Sequence, residues 1–85
     1  MLKGVAFMEV SIRVVDEDGR GVKGARVFMS YPFTWQEDYT DDDGWVAFSR
    51  SGTLYGGIRT DVFVNSEKVG DDIWLEDGDT RSFAI

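Results

Sequence analysis

The chain has 85 residues, 42% of them hydrophobic and 14% aromatic, with 16 acids against nine bases and a net charge of −7. That length holds one domain with a thin core, burying only about 60–65% of its unfolded surface, and the aromatic share argues against disorder. The acidic field and scattered bases exclude a nucleic-acid groove, the absence of cysteine and histidine removes disulfides and the usual base–nucleophile pairs, and no apolar run reaches the ~18 residues of a membrane span.

Met1–Met8 is too short, and too soon interrupted by Glu9, to read as a signal peptide. The chain is therefore expected to be soluble and to stay where it is made, or to be extracellular if it is a domain excised from a larger surface protein. Period-2 alternation then sets in. Met8, Val10, Ile12 and Val14 face one way and Glu9, Ser11, Arg13 and Val15 the other, which predicts a first strand over Phe7–Val15. The acidic, glycine-rich stretch from Asp16 to Gly21 ends it. Ala25, Val27 and Met29 alternate with Arg26, Phe28 and Ser30 in a second strand, which Tyr31-Pro32-Phe33-Thr34 interrupts because proline removes a ladder donor. A short third strand over Gln36–Thr40 runs into Asp41-Asp42-Asp43-Gly44, whose side chains cap their own backbone before a glycine suited to positive φ. Val46 and Phe48 alternate with Trp45 and Ala47 in a fourth strand. Ser49–Gly57 reads as a loop, followed by strands at Asp61–Asn65, Lys68–Leu75 and Thr80–Ile85. No window has a helical apolar period. Seven short strands with a turn signal every 8–12 residues predict an all-β fold, an antiparallel β-sandwich in a single domain over residues 1–85.

Two phrases, Asp16 to Val27 and Thr40 to Phe48, resemble signatures of carboxypeptidase regulatory-like domains, "D-x-x-G-x-P-L-x-G-A-x-V" and "T-D-x-x-G-x-F-x-F". Asp18-Gly19, Gly24-Ala25 and Val27 match the first; Thr40-Asp41, Gly44 and Phe48 match the second. Gly21 stands where those domains usually have proline, and Val46 where they usually have an aromatic. The resemblance covers residues 8–65 and implies a transthyretin-like (prealbumin-like), Ig-like sandwich related to the B-type repeats of bacterial surface adhesins. Such repeats often carry a Lys–Asn/Asp isopeptide bond. Here the first strand offers Arg13 and Lys3 lies ahead of it, so no isopeptide is expected.

If successive strands run end to end, alternate loops gather at one end. Asp16, Glu17 and Asp18 then lie beside Asp41, Asp42 and Asp43, with Asn65–Glu67 near them. One reading is a calcium site built on Asp16, Asp18, Asp41 and Asp43, which needs several oxygens at about 2.3–2.6 Å. The plainer one is that acids make good, solvated turns. At the other end Tyr31, Phe33 and Trp35 would join Tyr55 of the Thr53–Gly57 stretch. They would form either an aromatic tip that binds a protein or a carbohydrate, or a plug in which Tyr31 or Phe33 folds inward. Trp35 is expected to be the most exposed. Alternation also turns Phe28, Trp45 and Trp74 outward, as a homo-oligomer face or a flat ligand platform, or covered by long cross-strand neighbours. With no histidine or cysteine, no phosphate-cradling motif and little volume for a cleft, no catalytic residue is assigned and no cofactor is expected, calcium at the acidic end being the one candidate. The leading expectation is a non-enzymatic interaction module, followed by a self-associating structural module and a calcium-dependent adhesion domain.

Overall fold

A computed structural model describes residues 7–51 and 57–85. Seven strands follow in chain order: β1 Phe7–Val15, β2 Arg26–Ser30, β3 Trp35–Tyr39, β4 Trp45–Ser51, β5 Gly57–Val64, β6 Glu67–Glu76 and β7 Thr80–Ala84. They form a three-stranded sheet in the order β4-β1-β7 and a four-stranded sheet in the order β3-β2-β5-β6. No helix of the described residues is long and apolar enough to cross a membrane.

Alternation decides what lies between the sheets. Met8, Val10, Ile12 and Val14 of β1 and Val46 and Phe48 of β4 point inward from one side. Val27 and Met29 of β2, Val62 and Val64 of β5 and Leu75 of β6 meet them from the other. Each fully buried aliphatic side chain stabilises the fold by about 1.5–3 kcal/mol relative to exposure, and these residues make one continuous core.

The two signature phrases are locked to each other. Asp16 Oδ1 accepts the Asp18 and Arg20 N–H groups at 2.9 and 3.0 Å. Asp41 Oδ1 likewise accepts those of Asp43 and Trp45, both at 2.9 Å. Across the gap, the Val14 N–H donates to Gly44 O at 2.8 Å and the Val22 N–H to Val14 O at 2.9 Å. Thr40 is buried between them: its Oγ1 accepts the Ala25 N–H at 2.8 Å and its hydroxyl donates to Val22 O. The glycine at position 21 now has a reason. A Cβ there would sit 1.9 Å from the Asp43 carbonyl oxygen, so no side chain fits at the position where the signature it resembles has proline.

Three details differ from the sequence expectation. β5 starts at Gly57, four residues before Asp61, because Ile58 turns inward opposite Leu75 while the Thr60 hydroxyl is satisfied by Ser30 O and Asp61 O. These polar residues hid the strand. β4 runs on to Ser51, since Met8 and Phe7 continue to pair with Arg50 and Ser51. Finally, one ladder is parallel, that of β1 with β7. The β6–β7 turn docks on the start of β1, where the Gly78 N–H donates to Glu9 O and the Ser11 N–H to Asp79 O. β7 therefore leaves in the direction of β1.

Candidate functional site

Of the four aromatics expected at one end, two are exposed, one is core and one lies outside the described residues. Tyr31 is only 5% exposed, so its place in a binding tip is corrected to that of a plug. Its hydroxyl donates to Gln36 Oε1 at 2.6 Å, and Gln36 Nε2 reaches Ser49 O at 2.9 Å, which ties the two sheets together. The Arg50 guanidinium covers the ring at 4.5 Å from its centroid. Burial pushes the Tyr31 phenol up to about 12, the positive charge of Arg50 opposing the shift. Phe33 is 100% exposed and exceeds Trp35, at 58%, as the most exposed aromatic. Tyr55 falls among residues 52–56, outside the description.

The structure assembles a different surface, the outer face of the four-stranded sheet. Pairing puts Trp35 opposite Ser30, Glu37 opposite Phe28, and Phe28 opposite Phe63. Trp35 stacks on Phe28 with ring centroids 5.5 Å apart and planes 15° from parallel. Phe63 meets Phe28 edge-on at 6.1 Å. A shallow hollow of about 280 Å³ opens beside them, lined by Arg26, Phe28, Phe63 and Ser66.

Beyond the rings the face is polar and internally paired. Arg26 approaches Glu37 at 3.6 Å, Arg59 approaches Asp72 at 3.1 Å, and Lys68 lies 3.4 Å from Asp61 and 3.0 Å from Asp71. The Asp72 N–H donates to Asp61 Oδ1 at 2.7 Å and holds that carboxyl below its ordinary range, with help from Lys68. A second hollow of about 210 Å³ is lined here by Ser30, Pro32, Arg59, Thr60, Asp61 and Asp72. Phe63 and this Arg59–Asp61–Lys68–Asp72 cluster escaped the sequence reading. The signal that could have found Phe63 is period-2 alternation within Asp61–Asn65, which sets it opposite in facing to the buried Val62 and Val64. Its partnership with Phe28 needed the β2–β5 register.

The three residues proposed as an oligomer face do not share one. Phe28 and Trp74 lie outward on the four-stranded sheet, whereas Trp45 projects from the three-stranded sheet on the opposite side of the sandwich. Each ring also has local cover. Phe28 lies under Trp35 and Phe63, and the Arg13 guanidinium stands 5.5 Å from the Trp45 centroid. Trp74 packs where Gly57 has no side chain and donates its indole N–H to Glu76 Oε2 at 2.7 Å.

At the acidic end the turns do adjoin, and Lys23 pairs with Asp42 at 3.2 Å. Asp16 and Asp41 are spent on capping their own turns, and the Trp45 and Asp43 N–H groups keep the Asp41 carboxyl below its usual range. Among the described residues no three acidic side chains are grouped to hold a metal ion. The calcium assignment of Asp16, Asp18, Asp41 and Asp43 is corrected accordingly.

No family model matches the sequence, and no curated protein matches it. Among solved structures, the chain is similar to the TIE protein of Bacillus anthracis at 20% identity and a TM-score of 0.62, over 94% of this chain and 16% of that one. The chain thus spans a small part of that protein. It is also similar to the dioxygenase domain of a dioxygenase carbohydrate-binding protein fusion from the cellulolytic bacterium Streptomyces sp. SirexAA-E. There the identity is 14% and the TM-score 0.58, over 98% of this chain and 80% of that one. At these identities the likeness is one of fold.

Proposed function

We propose that this chain is a non-enzymatic binding module for carbohydrate, and that its contact surface is the Phe33–Trp35 corner of the four-stranded sheet. One observation carries the reading: Trp35 lies flat on Phe28 yet remains 58% exposed. A ring braced on one side has already lost most of its rotamer freedom, so a sugar face stacking on it costs little further ordering. Polar groups that can orient hydroxyls lie on the same face, two strands away. One structural neighbour is the dioxygenase domain of a fusion that also binds carbohydrate, which is in keeping with such a partner.

That neighbour's dioxygenase chemistry does not transfer. This chain has no histidine, so it offers none of the imidazole ligands that suit iron. The transthyretin-like kinship inferred from the two turn phrases rests on turn chemistry and is neutral on the ligand.

Tryptophan fluorescence and calorimetry with a panel of neutral oligosaccharides test the proposal. Binding should appear in the wild type and be lost in Trp35→Ala, whose thermal midpoint should stay close to that of the parent. Retention of full affinity by Trp35→Ala would rule out this corner as the contact surface.

A further inference from the structure

We propose that the hollow between Pro32 and the Arg59–Asp72 pair is a second subsite, so that the module grips two adjoining rings of a neutral glycan. This rests on the carbohydrate reading above. Trp35 pairs with Ser30 and Ser30 with Asp61, so the three side chains form one row across β3, β2 and β5. Two inter-strand spacings separate the ends of that row, about 10 Å. The hollow begins at Ser30, one such spacing from Trp35 and about the advance of one sugar unit, so a ring on Trp35 leaves its neighbour at the near side of the hollow, whose volume of about 210 Å³ suits a single sugar ring better than an extended polymer.

The hollow is shaped by an irregularity in the sheet. The β5–β6 register shifts between Thr60 and Val62, and Asp72 adopts a positive φ of 50° there. Left-handed backbone in a residue other than glycine is uncommon, although aspartate tolerates it best. The Asp72 N–H anchors this conformation on Asp61 Oδ1, which leaves the Asp72 carboxylate against the Arg59 guanidinium at 3.1 Å. Both side chains remain exposed. The guanidinium fork offers paired donors to vicinal hydroxyls, and a carboxylate beside it accepts the hydroxyl protons. The pair is held in place before the ligand arrives, which lowers the ordering cost of binding. Pro32 supplies an apolar wall for the C–H face of the ring.

Charge selects the class of glycan. Around the hollow two cations, Arg59 and Lys68, stand against three carboxylates, Asp61, Asp71 and Asp72, in a chain of net charge −7. Uronate or sulfated chains would meet repulsion, whereas neutral chains have only hydroxyls to satisfy.

The test is titration calorimetry with mono-, di- and trisaccharides of neutral gluco-, xylo- and manno-series, and with oligogalacturonate as the charged control. Wild type, Trp35→Ala, Arg59→Met and Asp72→Asn are compared, each first checked by circular dichroism and thermal melting. In the wild type, affinity should rise at least about tenfold from mono- to disaccharide. Arg59→Met and Asp72→Asn should abolish that gain and keep the monosaccharide affinity. If the gain persists in both variants while Trp35→Ala loses binding, the subsite is wrong and the module's function stands. Should no neutral oligosaccharide bind the wild type, the carbohydrate reading and the subsite fall together. Tighter binding of oligogalacturonate would overturn the neutral class. Two variants of different chemistry keep the proposal falsifiable if one of them fails to fold.

Discussion

Tyr31 and Asp41 link this fold to pH at opposite extremes. The folded Tyr31 phenol titrates at about 12, against an ordinary value of 10.0. A raised acid favours its neutral form, so the contribution is fully present below pH 10.0 and is lost as pH rises towards 12. Lys68, raised chiefly by its hydrogen bond to Asp71, loses its own contribution on the same alkaline side. Tyr31→Phe should therefore shrink the alkaline loss of stability without removing it. At neutral pH it should cost about 1 kcal/mol for the bond to Gln36, as read by urea denaturation at stepped pH. Asp41 works the other way. Its carboxyl is held below the ordinary 3.8, chiefly by the Trp45 N–H, so its contribution is present above that value and is lost as pH falls through the folded pKa. Asp41→Asn can still accept both N–H groups through its amide oxygen. It should weaken the acid dependence with a small change at neutral pH, whereas Asp41→Ala should lower the thermal midpoint at every pH.

At the scale of the elements, stability is concentrated where the two glycine-rich phrases touch. Gly44 has a φ of +87°, and a Cβ on it would come within 2.4 Å of the Val14 carbonyl oxygen. Gly24, at φ +73°, faces open space. Comparing alanine at the two sites separates backbone strain from steric overlap. Gly24→Ala should cost about 1–2 kcal/mol, the penalty of left-handed backbone alone. Gly44→Ala adds a clash with main chain that cannot move aside, and should cost more than about 3 kcal/mol. A total stability of about 4–13 kcal/mol is expected for a domain of this length, so Gly44→Ala is the substitution that should bring the fold near collapse. Equal denaturation midpoints for the two variants would show that the phrases are not locked as described.

For the whole molecule, both sheets share one core and should unfold together. Leu75 is fully buried and carries β6 into that core. Leu75→Ala should cost about 2–5 kcal/mol, and fluorescence and far-ultraviolet circular dichroism should still give one coincident transition. Separate transitions would mean that the sheets melt independently. The outer face obeys a different rule. Trp35 covers Phe28 but closes no part of the core, so its removal should change ligand binding far more than stability. The proposed contact surface and the core lie on opposite faces of the same strands, which is what a two-residue period permits.

Much of the architecture was legible in the chain because its causes are local. Alternation of apolar residues from Met8 to Val14 placed β1 at its observed bounds, and Asp followed by Gly marked the turns that Asp16 and Asp41 cap. The inward sets Val27/Met29 and Val46/Phe48 followed from the same period. What sequence could not supply depends on partners far apart in the chain. Polar Arg59 and Thr60 gave no hint of the first half of β5, since the Thr60 hydroxyl is satisfied by a carbonyl 30 positions away. The parallel seating of β7 on β1 came from a turn docking on Glu9 and Ser11. Alternation fixes which way a side chain faces but not what it meets: it turned Phe28, Trp45 and Trp74 outward, and only the division into two sheets put Trp45 on the side away from the others. Likewise Tyr31 and Phe33, two residues apart in one loop, differ in fate because Gln36 and Arg50 hold the first against the core. The amino-acid order by itself determined strands, turns and the inward face, because sterics and short-range capping act within a few residues. Tertiary structure alone decided the braced Trp35 and the Arg59–Asp72 hollow beside it, because register brings together groups that no local pattern connects.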